Sequence, residues 1–147
     1  MMSSKKNIYE VFNDFKAAKT KEERIAVLRS NDSYALRNVL LGTFTPQIEF
    51  TVDKIPPYKS EEVPPGLSYN NMTDAIGRVY LFTKGNPRVP PALTEKRKNE
   101  ILIQILESLE KEEANVFAGM LMKNLKVPHL TAKLIHEALP GLLPEQT

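Results

Sequence analysis

The sequence predicts an all-α fold, a single compact domain over residues 1–147 with about six helices and a long Pro-rich loop at 43–70. Three observations lead there. Apolar residues recur at helical spacing along most of the chain, as in Ile8, Val11, Phe12 and Phe15, or Ile101, Leu102, Ile105, Leu106 and Leu109. Hydroxyl and amide side chains stand just ahead of these runs, where they can cap a helix. Pro46, Pro56, Pro57, Pro64 and Pro65 gather in one stretch and exclude a long helix there. With 147 residues, 41% apolar and 26% charged, the chain can bury a real core, and its composition argues against wholesale disorder.

In order, Ile8 to Phe15 forms a first amphipathic helix. Thr20-Lys21-Glu22-Glu23 has the form of a capping box, with the hydroxyl accepting from the amide three residues on and Glu23 reaching back. A second helix follows through Ile25, Val27 and Leu28. Ser30 to Ser33 supplies a break and a new cap for a third, buried through Leu36, Val39 and Leu40 and closed near Gly42. Over 43–70, Ile48, Phe50 and Val52 alternate, so the stretch reads as a covering loop with one short hairpin at most. Asn71 or Thr73 caps a fourth helix carrying Ile76, Val79 and Tyr80 and ending at Lys84-Gly85. After a second Pro-rich connector, Thr94 caps the fifth. The sixth runs from about Glu112 through Phe117, Met120, Leu121 and Leu125 until Pro128 stops it. Thr131 then caps a restart, with Leu130 placed to staple against Ile135, and Pro140-Gly141 ends the chain's last helix.

Much chemistry is absent. Without Cys there is no thiol nucleophile, disulfide or thiolate metal site. There is no Walker loop, dinucleotide Gly pattern or His-Glu-x-x-His motif. His129 and His136 are badly spaced for a shared metal, and nothing marks a catalytic triad. Glu61-Glu62 and Glu112-Glu113 read as surface acids. A non-enzyme without cofactor or metal is expected. No apolar run reaches membrane-spanning length and the start lacks the apolar stretch of a signal peptide, so a soluble cytoplasmic protein without a membrane partner is expected.

A net charge of +2 gives no global attraction to nucleic acid, so basic character must act locally. Two clusters qualify. Lys96, Arg97 and Lys98 lie in the first turn of the fifth helix, where they oppose the helix dipole; they serve a partner or form a solvated face. Lys123, Asn124, Lys126, His129, Thr131 and Lys133 surround the break before the last helix. That break offers backbone amides and cations to a phosphate, or is an ordinary helical corner with exposed lysines.

The ending Leu139-Pro140-Gly141-Leu142-Leu143-Pro144-Glu145-Gln146, preceded by Met120-Leu121-Met122-Lys123-Asn124-Leu125, resembles the end of the N-terminal DNA-binding domain of ATP-dependent DNA ligases of the T-even bacteriophage type. Thr20 to Leu28 with Asn31, and Leu36-Arg37-Asn38-Val39 with Thr45, are similar to that domain's second and third helices and the loop after them. The resemblance implies an all-helical domain that grips the phosphate backbone of a duplex and helps a ligase encircle a nick. The Lys-x-Asp-Gly motif of the nucleotidyl-transfer domain is absent, so the chain looks like the DNA-binding part alone. It departs from the family at the turn, where Lys126-Val127-Pro128-His129 has no Gly. It departs also at Asn124, an acidic position in the family, and at Glu137, a basic one.

The expected function is therefore a non-catalytic, sequence-nonspecific DNA-binding module, an accessory protein of phage DNA replication, repair or transcription in the host cytoplasm. Its expected partner is the backbone of double-stranded DNA, nicked or intact, together with phage or host replication and transcription proteins. Two alternatives stand beside it. One is an adaptor that docks on a polymerase, sliding clamp or virion component without touching DNA. The other is a DNA-binding subunit that assists a separate ligase catalytic chain.

Overall fold

A computed structural model describes residues 7–59 and 71–143. Among them the chain forms α1 (Ile8–Ala17), α2 (Lys21–Ser30), α3 (Tyr34–Phe44), α4 (Met72–Ile76), a 3-10 turn at Val79–Phe82, α5 (Glu95–Ser108), α6 (Lys111–Leu121) and α7 (Ala132–Ala138), with no strand. The helices number seven rather than about six, and they share one core. Pro64, Pro65, Glu61 and Glu62 lie outside the described residues, as do Met1 to Lys6 and the Pro144-Glu145-Gln146 end of the tail.

α6 is the centre. It buries Ala114, Phe117, Met120 and Leu121 and packs against α1, α3, α4 and α5. α1 also holds α2, and α2 carries α7 on its other side. Ile8, Val11, Phe12 and Phe15 are all buried, as the spacing requires. So are Ile101, Leu102, Ile105, Leu106 and Leu109 along and just after α5.

The caps follow the sequence with one change. Thr20, Ser33, Asn71, Thr94 and Thr131 each accept a hydrogen bond from the amide three residues on. Glu23, however, reaches one residue further back than a capping box requires and accepts from the Lys19 amide at 3.0 Å. Leu130 and Ile135 are both buried, as a staple across the start of α7 demands.

Three boundaries or burials differ from expectation. α3 continues through Gly42 to Phe44, because Gly42 is a packing residue: a Cβ there would meet the Met120 sulfur at 2.8 Å. The fourth helix is not continuous. It ends at Ile76 and the chain tightens into the 3-10 turn, whose three-residue period sets Phe82 on the same side as Val79 and buries its ring completely. Glu113 is not a surface acid. It is 4% exposed, and it projects from α6 to accept from the Tyr9 amide at the start of α1 at 2.7 Å. Glu112 does stay exposed.

The described part of the loop covers the core within the expected limit of one short hairpin, and it is pinned by a single bridge. Phe50 makes a single antiparallel bridge to Thr83; the Thr51 amide donates to the Phe82 carbonyl at 2.7 Å and the Lys84 amide to that of Glu49 at 2.8 Å. This pinning sets the floor beneath the candidate site.

Candidate nucleic-acid interface

The corner between α6 and α7 is built by its own backbone, and Pro128 does not end α6. The helix stops at Leu121, where the Lys123 amide donates to the Met120 carbonyl at 3.0 Å and the Asn124 amide to that of Gly119 at 2.8 Å. This pair of bonds closes a helix when the residue after its cap is left-handed, a place usually taken by glycine. Here it is Lys123, at φ 60. Gly119 sits one turn earlier and lets the returning chain lie against the helix: a Cβ on it would stand 2.8 Å from the Asn124 carbonyl oxygen.

Two more left-handed residues follow, Lys126 at φ 58 and His129 at φ 69. Among the described residues, every non-glycine with positive φ is in this corner. The Asn124 side chain holds the first of them, its Oδ1 accepting from the Lys126 amide at 3.0 Å; the Leu130 amide donates to the Val127 carbonyl at 3.3 Å.

The predicted contact residues divide into two groups. All six at the corner are exposed, but the side chains of Lys126, His129 and Lys133 make no hydrogen bond or ion pair with other described residues. The others are engaged. The Thr131 hydroxyl caps α7, accepting from the Leu134 amide at 3.2 Å. The Lys123 ammonium donates to the carbonyls of Gly42 at 2.6 Å and Thr45 at 3.0 Å, at the C-terminal end of α3, and lies 5.1 Å from the centre of the Phe50 ring. A cation there complements the helix dipole and satisfies carbonyls that α3 cannot. Burial lowers its pKa below the usual lysine value, and the Glu49 carboxylate acts in the opposite direction.

One member of the cluster on α5 is also drawn inward. The Lys98 side chain is 12% exposed and donates to Thr51 Oγ1 at 2.9 Å and Glu95 Oε1 at 2.8 Å. Arg97 reaches Glu100 at 3.4 Å, and upstream Arg88 stacks over the Tyr80 ring at 4.3 Å. Lys96 alone of the three is left without a partner among the described residues. Thus each predicted cluster turns one lysine onto the same loop segment, Lys123 onto Thr45 and Phe50, Lys98 onto Thr51.

Glu137 has a role that its sign alone did not suggest. It pairs with Lys21 at 2.9 Å, while its carbonyl and that of Ala138 accept from Arg29 at 2.9 Å each. Those contacts seat α7 on α2. Sequence reasoning missed Gly42, Gly119 and Phe50 as builders of the corner. An isolated glycine inside a helical pattern was the available signal for the first two.

Among the described residues no group of three or more His, Asp or Glu could hold a metal ion, and no helix is long and apolar enough to cross a membrane. The model of a family of unknown function, DUF6433, matches residues 11–127, which run from α1 into the corner. No curated protein matches the chain.

Proposed function

The chain belongs to the family of unknown function DUF6433, and for it we propose a non-catalytic module that grips the phosphate backbone of double-stranded DNA without reading its sequence. The grip is the corner, through Lys126, His129 and Lys133. The resemblance to the ligase DNA-binding domain supports a place as an accessory protein of phage DNA replication, repair or transcription.

One observation carries the reading. Lys126 and His129 hold a left-handed backbone, at a cost of about 1 kcal/mol each that glycine would not incur, yet their side chains make no hydrogen bond or ion pair with other described residues. The Asn124 side chain offsets part of that cost at the Lys126 amide, but the ammonium and the imidazole stay open to a partner outside the molecule. A mobile ammonium and a ring N–H at fixed backbone positions suit phosphate oxygens, which need donors and charge but no sequence code.

Replacing Lys126 by Gly should therefore raise thermal stability slightly while weakening DNA binding, a stability–function trade-off. In fluorescence anisotropy, log affinity against log salt should lose about 0.9 of slope for that single contact. Absence of binding at low salt, or binding indifferent to salt, would sink the proposal.

A second reading, a protein-docking adaptor, is favoured by one feature. A groove of about 310 Å³ lies between α3 and the 3-10 turn, lined by Leu41, Ile48, Phe50, Val79 and Tyr80 among others. Partners that survive nuclease treatment in a pull-down, together with unchanged capture by Lys126→Gly, would favour it over DNA.

A further inference from the structure

We infer that Lys123 is the positioning residue of the corner, acting on Lys126 and His129 through its hold on the end of α3 and not through a phosphate of its own. The inference rests on the proposed DNA grip for its meaning, though not for its test.

The geometry is specific. Three features meet at Lys123. Its amide closes α6, its left-handed torsion turns the chain out of the helix, and its ammonium crosses to the end of α3. There the two carbonyls are 2.6 and 3.0 Å from Nζ, and the Phe50 ring covers the cation from one side. Two of the three ammonium hydrogens are therefore directed at protein carbonyls. A phosphate oxygen could claim the ammonium fully only by breaking a clasp between elements far apart in sequence. Lys126 starts just beyond the clasp, tied by its amide to Asn124, whose own amide is bonded to Gly119. Movement of Lys123 is thus passed to Lys126 through the Asn124 main chain and its side-chain oxygen.

A groove of about 490 Å³ lies beside the clasp, walled by Phe44, Leu125, Val127 and Leu130, with Lys123 and Lys126 on its border. Leu130 belongs to the core there, and Phe44, Leu125 and Val127 pack against it. The Lys123 ammonium adds a polar tie from the corner to the end of α3.

The test compares Lys123→Met, which keeps the stem and removes the charge, with Lys123→Arg, which keeps the charge. Without DNA, amide hydrogen exchange at Asn124, Lys126 and Leu130 should quicken at least tenfold in Lys123→Met relative to amides of α5, and Lys123→Arg should restore most of the protection. With duplex DNA, Lys123→Met should bind about tenfold more weakly at an unchanged salt slope. A slope reduced by about 0.9, with corner exchange unaltered, would make Lys123 a phosphate contact and overturn the inference. Unchanged exchange and unchanged affinity would overturn it as well. If the parent protein binds no DNA, the proposed function fails by itself, and the exchange comparison still decides whether Lys123 holds the corner.

Discussion

Gly119→Ala should lower stability by about 2 kcal/mol and disable the corner with it. Alanine normally favours a helix interior over glycine by about 1 kcal/mol, so the expected sign runs against propensity. The reason is what the new methyl group meets. It would stand 2.8 Å from the Asn124 carbonyl oxygen, 3.3 Å from Leu125 Cα and 3.4 Å from Leu125 Cδ2. Two of those atoms are main chain and cannot turn aside. Relief requires the returning segment to lift, which stretches the Asn124-to-Gly119 bond and the Lys123 clasp beyond it. Gly42→Ala is the control. Its methyl group would press on the Met120 Sδ and Cγ atoms, the far end of a flexible side chain, and should cost less. Denaturant midpoints at constant m-value would measure both. A Gly119→Ala protein as stable as its parent would contradict the close-packed return of the chain.

The second large effect is a fall in stability between weakly acidic and neutral pH. Burial pushes the Glu113 carboxyl up to about 7 from its ordinary 4.5; hydrogen bonds from the Tyr9 and Ile8 amides lower it, and nearby Glu110 and Glu10 raise it. Because the folded carboxyl binds its proton more tightly than the unfolded one, this contribution is complete below about pH 4.5. It is lost as pH rises through about 7, to a total on the order of 3 kcal/mol. Glu113→Gln keeps an oxygen for the Tyr9 amide and removes the charge. It should match the parent at pH 4.5 and surpass it at pH 8, with a flatter curve of melting temperature between. Parallel curves for the two proteins would show that Glu113 does not control this window.

The helices were legible because their causes are local. Capping side chains and apolar spacing are written within a few residues, and Thr20, Ser33, Thr94 and Thr131 act where the sequence places them. What failed to show depends on contacts between segments distant in the chain. Glu113 looks like a surface acid until α1 is laid against α6. Phe82 reaches the core only because the chain tightens after Ile76. The candidate site was legible in composition but not in division of labour. Nothing in Lys123-Asn124-Leu125-Lys126 tells that the first lysine bonds back to α3 while the side chain of the second bonds to no other described residue. That distinction is set by the left-handed torsion at Lys123 and by carbonyls of a helix some eighty residues earlier.

The three left-handed residues also restrict how this corner can vary among related chains. Valine, isoleucine and threonine carry two heavy atoms on Cβ and are poorly tolerated at positive φ, so positions 123, 126 and 129 admit a narrow alphabet. Glycine, asparagine and unbranched side chains remain. Within that alphabet a single replacement can remove charge and relax the backbone together. Under the proposed function, such a replacement would weaken the DNA contact while gaining stability.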